Sequence, residues 1–295
     1  MTTYQRTEIR LGEPGYPGCL LDLPDPPKTL YIAGSLRGFK QGLAVIGARR
    51  ATPYGIGCAF RFAGWAAASG VWVVSGAAIG CDQAAHNAAR ALQRPTVAVL
   101  GCGADIDYPS GATTLLGDLR ANCAVVSELP WGTHPARWAF AKRNRIIAAL
   151  SAAVLVVEAG LPSGTFSTAD HALGIGRDVL AVPGSINAPE SRGPNRLIRQ
   201  GATAITDASE LADALRSAGI ELEDSAMDTV AHRRHLTDIE RAVLSDPMRP
   251  DDIARALTLD IVTIVRTLGE LELSNRVTRY RDGRYGMPTT TTQSR

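Results

Sequence analysis

The sequence predicts an α/β protein: a doubly wound, mostly parallel sheet followed by a small winged-helix C-terminal domain. Three observations carry that prediction. Short β-branched apolar runs alternate with helix-forming stretches of about ten residues, the pattern of βαβ units. The runs end in Gly, Ser or Pro, as strands do when they turn into a helix. Beyond residue 231 the pattern changes to three short helical faces and an Asp-Gly turn. At 295 residues the chain has room for one large and one small domain, at ~100–200 residues each.

Residues 1–42 are rich in Pro and Gly and predict an irregular N-terminal extension packing on the core, with a short strand near Leu30–Ile32. The core domain runs over 43–217. Its strands are expected at Leu43–Ile46, Val71–Val74, Thr96–Leu100, Ala124–Val126, Ala153–Val157, Val179–Val182 and Thr203–Ile205. Helices are expected after the Gly47–Gly55 loop to about Ser69, from Asp82 to about Gln93, near Thr113–Arg120, opening at Arg143, opening at Ser163–Thr165, and at Ala208–Ser217. Right-handed crossovers cover both faces of such a sheet, and ligands bind at the carboxyl ends of its strands.

Residues 218–231, with Glu221, Glu223, Asp224 and Asp228, read as a linker. In 232–288, Ile239, Val243 and Leu244 define one helical face, and Arg249-Pro250-Asp251-Asp252 opens a second helix, Ile253–Leu257. Ile264, Val265, Leu268 and Leu271 define a third, over Ile261–Leu273. Asp282-Gly283 between two short β-like segments is a hairpin signal. Three helices and a hairpin make a winged helix. Residues 289–295 read as a disordered tail.

Composition excludes several classes. A hydrophobic fraction of 45% and a charged fraction of 20% describe an ordinary globular chain. A formal net charge of +2 means that any nucleic-acid site is a local patch. Only Lys28, Lys40 and Lys142 are lysine among the 31 basic residues. Arginine supplies planar donors that fork onto phosphate and stack on bases. The five cysteines stand singly, without metal-ligand spacing, so neither a metal site nor a disulfide framework is expected. No stretch has the ~18 apolar residues of a membrane span, and the chain reads as cytoplasmic and reduced.

The strand ends assemble a candidate site rich in Gly, Ser and Thr. Ser75, Gly76 and Gly80 form a strand-to-helix turn. Such a turn either cradles a phosphate on its N–H groups or is simply tight. Ser163, Gly164 and Thr165 open a second helix in the same way, as a cradle, as an N-cap, or as both. Arg137–Arg145, RWAFAKRNR, is the most basic stretch, with no acid between Gly132 and Ala149. Trp138 and Phe140 alternate there with Arg137, Lys142, Arg143 and Arg145, the composition of a single-strand groove. Packing into the core accounts equally well for the two aromatics. Asp82 and His86 stand one helical turn apart and read as a hydrogen-bonded pair holding the glycine turn. Glu128 and Glu158, at strand ends, read as hydrogen-bonding the loops.

These motifs, in this order, resemble the DNA-processing protein A family (DprA, also called Smf). The matching residues include Tyr16-Pro17, Val45-Ile46-Gly47-Ala48-Arg49, Ser75–Asp82, Val99–Gly103 with Tyr108-Pro109, Arg143–Ala148, Ser163-Gly164-Thr165 and Val182-Pro183-Gly184. The resemblance covers roughly 16–215. It implies an extended Rossmann-like fold and a protein without catalytic activity or cofactor. It also implies a homodimer that binds and protects incoming single-stranded DNA and loads a RecA-type recombinase during natural transformation. It assigns Arg49 to bases and phosphate, Arg137 to a DNA-contacting basic position, and Phe140 to base stacking. The chain departs from the family at Ser110–Thr114, where relatives often carry basic residues.

Three other functions compete. A nucleotide-binding hydrolase related to the lysine-decarboxylase-like phosphoribohydrolases fits Pro162–Thr168 only in part, because that motif's glutamate is missing. A dinucleotide-linked dehydrogenase lacks GxGxxG after the first strand. A sequence-specific repressor is disfavoured because Ile261–Leu273 carries Glu270 and Glu272 against a single Arg266.

Overall fold

The computed structural model describes residues 4–223, 238–273, 276–280 and 282–287. A nine-stranded sheet runs in the order β1-β2-β6-β5-β4-β3-β7-β8-β9. Its strands are β1 (Arg6–Arg10), β2 (Thr29–Gly34), β3 (Gly42–Ile46), β4 (Val73–Ser75), β5 (Thr96–Val99), β6 (Ala124–Ser127), β7 (Ser151–Val156), β8 (Asp178–Ala181) and β9 (Thr203–Ala204). From β3 to β9 every pairing is parallel, whereas β1 and β2 run antiparallel at one edge. The chain leaves β3 through β4, β5 and β6, then returns to β7 on the other side of β3. This reversal of winding is what makes the sheet doubly wound and Rossmann-like.

The N-terminal extension corrects the expectation of an irregular lead-in, because it supplies two strands of the main sheet. The second strand was expected; the first was not. RTEIR alternates with one weakly apolar face, and only Ile9 packs against the core, as suits an edge strand.

The alternating residues of each strand go to opposite faces. Leu43 and Val45 pack with α1 (Pro53–Ala68), α2 (Cys81–Ala91) and α7 (Ala208–Ser217). Ala44 and Ile46 pack with α4 (Arg137–Ala149), α5 (Thr165–Gly174) and α6 (Arg192–Arg199). Leu115, Leu116 and Leu119 of α3 (Thr113–Asn122) cover β5 and β6. Local chemistry sets the helix ends. Pro53 at the first turn of α1 follows Thr52, whose hydroxyl accepts from Gly55 N, and Asp207 caps α7 on two N–H groups.

Helix α4 begins at Arg137, so the expectation that Arg143 opens it is wrong; Arg143 lies mid-helix and buried. The extended backbone of Ala136, without any side-chain cap, leaves no sequence signal of this start. Helix α6 also had no expectation behind it.

The C-terminal module has α8 (Asp238–Ser245), α9 (Pro250–Leu257), α10 (Ile261–Leu273) and the hairpin β10 (Thr278–Arg279)–β11 (Tyr285–Gly286). Ile239, Val243, Ile253, Ile264, Leu268, Leu271, Val277 and Tyr285 form its core. The buried Glu240 accepts a bidentate ion pair from Arg276 at 2.6 and 2.8 Å. Met248 and Tyr285 exchange backbone hydrogen bonds. Most of the linker and the tail fall outside the described residues.

Candidate nucleic-acid interface

At the carboxyl ends of β3, β4 and β5 lies a groove of about 300 Å³. The β3–α1 loop brings Arg49 and Arg50, the β4–α2 turn brings Gly76 and Ile79, and Gly101, Tyr108 and Phe140 complete the wall. The Arg49 guanidinium lies 5.6 Å from the centre of the Phe140 ring. Phe140 in turn lies 5.3 Å from Tyr108, tilted at 34°. An exposed guanidinium, two half-exposed rings and the exposed Ile79 thus share one cleft. Glycine makes this possible. A Cβ on Gly101 would come within 2.8 Å of the Phe140 ring, and one on Gly76 within 2.4 Å of the Arg143 guanidinium.

The Arg49 loop is held from beneath. Glu158, at the end of β7, accepts from Thr52 N at 2.9 Å and from Thr52 Oγ1 at 2.5 Å. Burial pushes the Glu158 carboxyl upward, and the Thr52 hydrogen bonds oppose that. On the other side Gly80, at φ +95°, lets the glycine turn press against the Ala48 carbonyl, where a Cβ would approach to 2.3 Å. Cys81 N then donates to Ala48 O at 3.4 Å.

Two N–H groups of the glycine turn that a phosphate cradle would use are already engaged within the chain. Asp82 accepts from Gly76 N at 3.2 Å and from Ala78 N at 3.3 Å, so an internal carboxylate fills the place where an anion would sit. Ser75 is buried and donates to Val45 O. Arg143 is a second correction. It is buried and donates to the carbonyls of Gly76 and Val99. Desolvation lowers its pKa to about 10, opposed by the nearby Asp82 charge. Asp82 is itself pushed upward by burial, against the pull of Arg143 and its backbone donors. Arg143 therefore holds the floor of the groove through those carbonyls.

The Asp82–His86 pair is not formed. Asp82 does hold the glycine turn, but His86 Nδ1 lies 2.7 Å from Thr96 Oγ1, whose own proton goes to Val73 O. That geometry makes Nδ1 the donor of a neutral imidazole. Complete burial, with Arg143 and Arg90 nearby, lowers its pKa to about 3. Arg145 is likewise buried and bonds Glu128 at 2.6 Å, a carboxylate it shares with the exposed Lys142 at 3.2 Å. Glu128 and Glu158 therefore do tie loops and helices, at the ends of β6 and β7, which stand at separate places in the sheet.

Of the residues singled out from sequence, the groove brings together Arg49, Gly76, Phe140 and the buried Arg143. Arg137 and Lys142 are exposed on α4 outside its lining, and Trp138 is 60% exposed, so core packing does not account for it. Ser163 and Thr165 hydrogen-bond each other at 3.0 Å, and Thr165 reaches Gly47 O at 3.5 Å, on the far side of the Arg49 loop. Arg50, Ile79 and Tyr108 line the groove without having been assigned to it. The Tyr108-Pro109 pair, set just past a strand-end glycine cluster, was the signal available for Tyr108. Among the described residues no cluster of three potential metal ligands occurs, and no helix is long and apolar enough to cross a membrane.

The sequence model of DNA recombination-mediator protein A matches residues 7–216, and that of the DprA winged helix domain matches 228–283. A putative DNA processing protein DprA from Mycobacterium tuberculosis is 39% identical over 88% of this chain and 68% of that protein. Protein Smf of Escherichia coli is 41% identical over 68% of this chain, which spans only about half (54%) of the Smf length. Among solved structures, DNA processing protein A of Streptococcus pneumoniae superposes with a TM-score of 0.68 at 34% identity, covering 71% of this chain and 74% of that one. DNA processing protein A of Helicobacter pylori, described for its single-stranded DNA binding mode, gives 0.66 at 30% identity, covering 73% and 98%.

Proposed function

This chain belongs to the DNA recombination-mediator protein A family, and we propose that its groove holds single-stranded DNA. One observation carries the reading: an exposed guanidinium stands over Phe140, which packs on Tyr108, at the open end of a parallel sheet. Unpaired bases offer π-faces to such a platform at about 1–3 kcal/mol each, while Arg49 and Arg50 meet the backbone. Duplex bases are already stacked and gain nothing from it, so the site selects single strands.

Binding, not bond-making, is the activity we assign. Asp82 and His86, one helical turn apart beside the glycine turn, are engaged by the Gly76–Ala78 turn and by Thr96. Arg137 and Lys142 on α4 give the strand a path beyond the groove. We further propose that the loaded strand passes to a RecA-type recombinase and that two copies of the chain associate. Light scattering at micromolar concentration checks the second point, with twice the chain mass expected.

Photo-crosslinking with a bromouracil-substituted oligothymidylate, mapped by mass spectrometry, tests the groove. Adducts are expected at Tyr108 or Phe140. Adducts confined to the C-terminal module would refute the assignment.

A further inference from the structure

A second cavity, of about 540 Å³, lies at the amino ends of the parallel strands, opposite the strand ends that carry the Arg49 groove. Three cations line it: Arg37 and Lys40 from the β2–β3 loop, and Arg94 after α2. That loop is tacked down on both sides of Lys40. Phe39 packs edge-on against Trp72 at 5.3 Å, and Gln41 donates to Ala149 O at 3.3 Å. Neither Arg37 nor Lys40 has a carboxylate partner among the described residues.

Among the described residues a single acid lines the cavity, Glu223 in the linker. It bonds Arg94 at 3.0 Å, and its backbone N–H donates to Ser69 O at 2.9 Å. Gly70, at φ +81°, makes room for it; a Cβ there would lie 2.6 Å from its carboxylate. A half-exposed carboxylate from the linker segment thus lies at the mouth of a cationic cavity, beside a glycine that leaves room for it. Two further cations face that cavity without an anion of their own.

We propose that this cavity is a second phosphate site, taking a phosphomonoester or phosphodiester, and that Glu223 occupies it until such a ligand displaces it. Trp72 and Pro95 give the cavity an apolar wall on which a sugar or base attached to the phosphate can rest. The site lies across the sheet from the Arg49 groove and shares no lining residue with it. It therefore stands or falls independently of the groove.

The test follows the Trp72 indole and the Gly38 and Gly70 amides by ¹H–¹⁵N correlation NMR. The 295-residue chain carries Arg49→Ala to weaken groove binding, and the three reporters lie outside the groove lining. It is titrated with inorganic phosphate and, separately, with dT12. Saturable shifts are expected, with a midpoint lowered about threefold by Glu223→Gln, which removes one carboxylate charge. Arg37→Ala/Lys40→Ala, at two exposed positions, should raise that midpoint about tenfold. Shifts with dT12 identify the ligand as nucleic-acid backbone. Shifts with phosphate alone identify it as a small phosphomonoester. Absence of shifts with both probes, or a midpoint indifferent to Glu223→Gln, overturns the proposal.

Discussion

Arginine does two opposite jobs in this molecule, and burial separates them. Arg49 is exposed over an aromatic ring, whereas Arg143 is sealed beneath the groove on the carbonyls of Gly76 and Val99. Replacing Arg143 with Ala leaves those carbonyls and Asp82 uncompensated and should cost about 3 kcal/mol or more, read as a lower denaturant midpoint. The sequence could not distinguish the two roles: both sit in arginine-rich motifs, and only the mid-helix position of Arg143 buries it. His86 adds a pH dependence. Its folded pKa, near 3, lies below the ordinary value of 6.5, so the unfolded chain binds the extra proton between those limits. Its stabilisation is complete above pH 6.5 and falls by about 1.4 kcal/mol per pH unit as pH drops toward 3. Asp82 and Glu158, with raised values, act in the opposite sense at low pH. The specific test is therefore a comparison of thermal midpoints from pH 7 to 4.5 in wild type and His86→Gln, where the variant should lose less.

Two loops act as one element. The Gly47–Thr52 loop that carries Arg49 is clamped between Glu158 and the glycine turn, with Gly80 against the Ala48 carbonyl. Gly80→Ala meets that carbonyl and must adopt a positive φ, so it should move Arg49 as well as destabilise the fold by about 1–3 kcal/mol. Weakened DNA binding at temperatures where circular dichroism still reports a folded chain would separate the two effects. The glycine turn was legible as a turn whose N–H groups meet a carboxylate-sized acceptor, not as one already occupied from within. That acceptor is Asp82, six residues along the same chain, and composition alone does not reveal that an internal carboxylate has filled the place. The parallel strands were legible because burial on both faces makes them continuously apolar. The edge strand β1 was not, because one solvated face and one apolar contact leave little pattern to read.

At the scale of the whole molecule, no described residue of the winged helix lines the groove. On α10 the exposed residues include Val262 and Val265, at 71% and 53% exposure, beside Arg266 and Glu270. This helix offers DNA little positive charge, so removing residues 232–295 should leave most single-strand affinity intact, within about threefold by anisotropy. The fold was readable at this scale because strand and helix periods alternate through the core and change once, near the linker. The groove was readable only in outline, since Arg49, Tyr108 and Phe140 come from three separate segments and meet only when the sheet forms.

The most direct measurement is the affinity for a labelled oligothymidylate and for a duplex of matched length, across a salt series, in wild type and Arg49→Ala. The groove predicts a single-strand preference and log K falling by about 0.7 per phosphate contact per decade of salt. It also predicts a loss of about tenfold or more in the variant, equivalent to about 1.4 kcal/mol. Equal affinity for both nucleic acids, or an Arg49→Ala protein that binds single strands as wild type does, would contradict it.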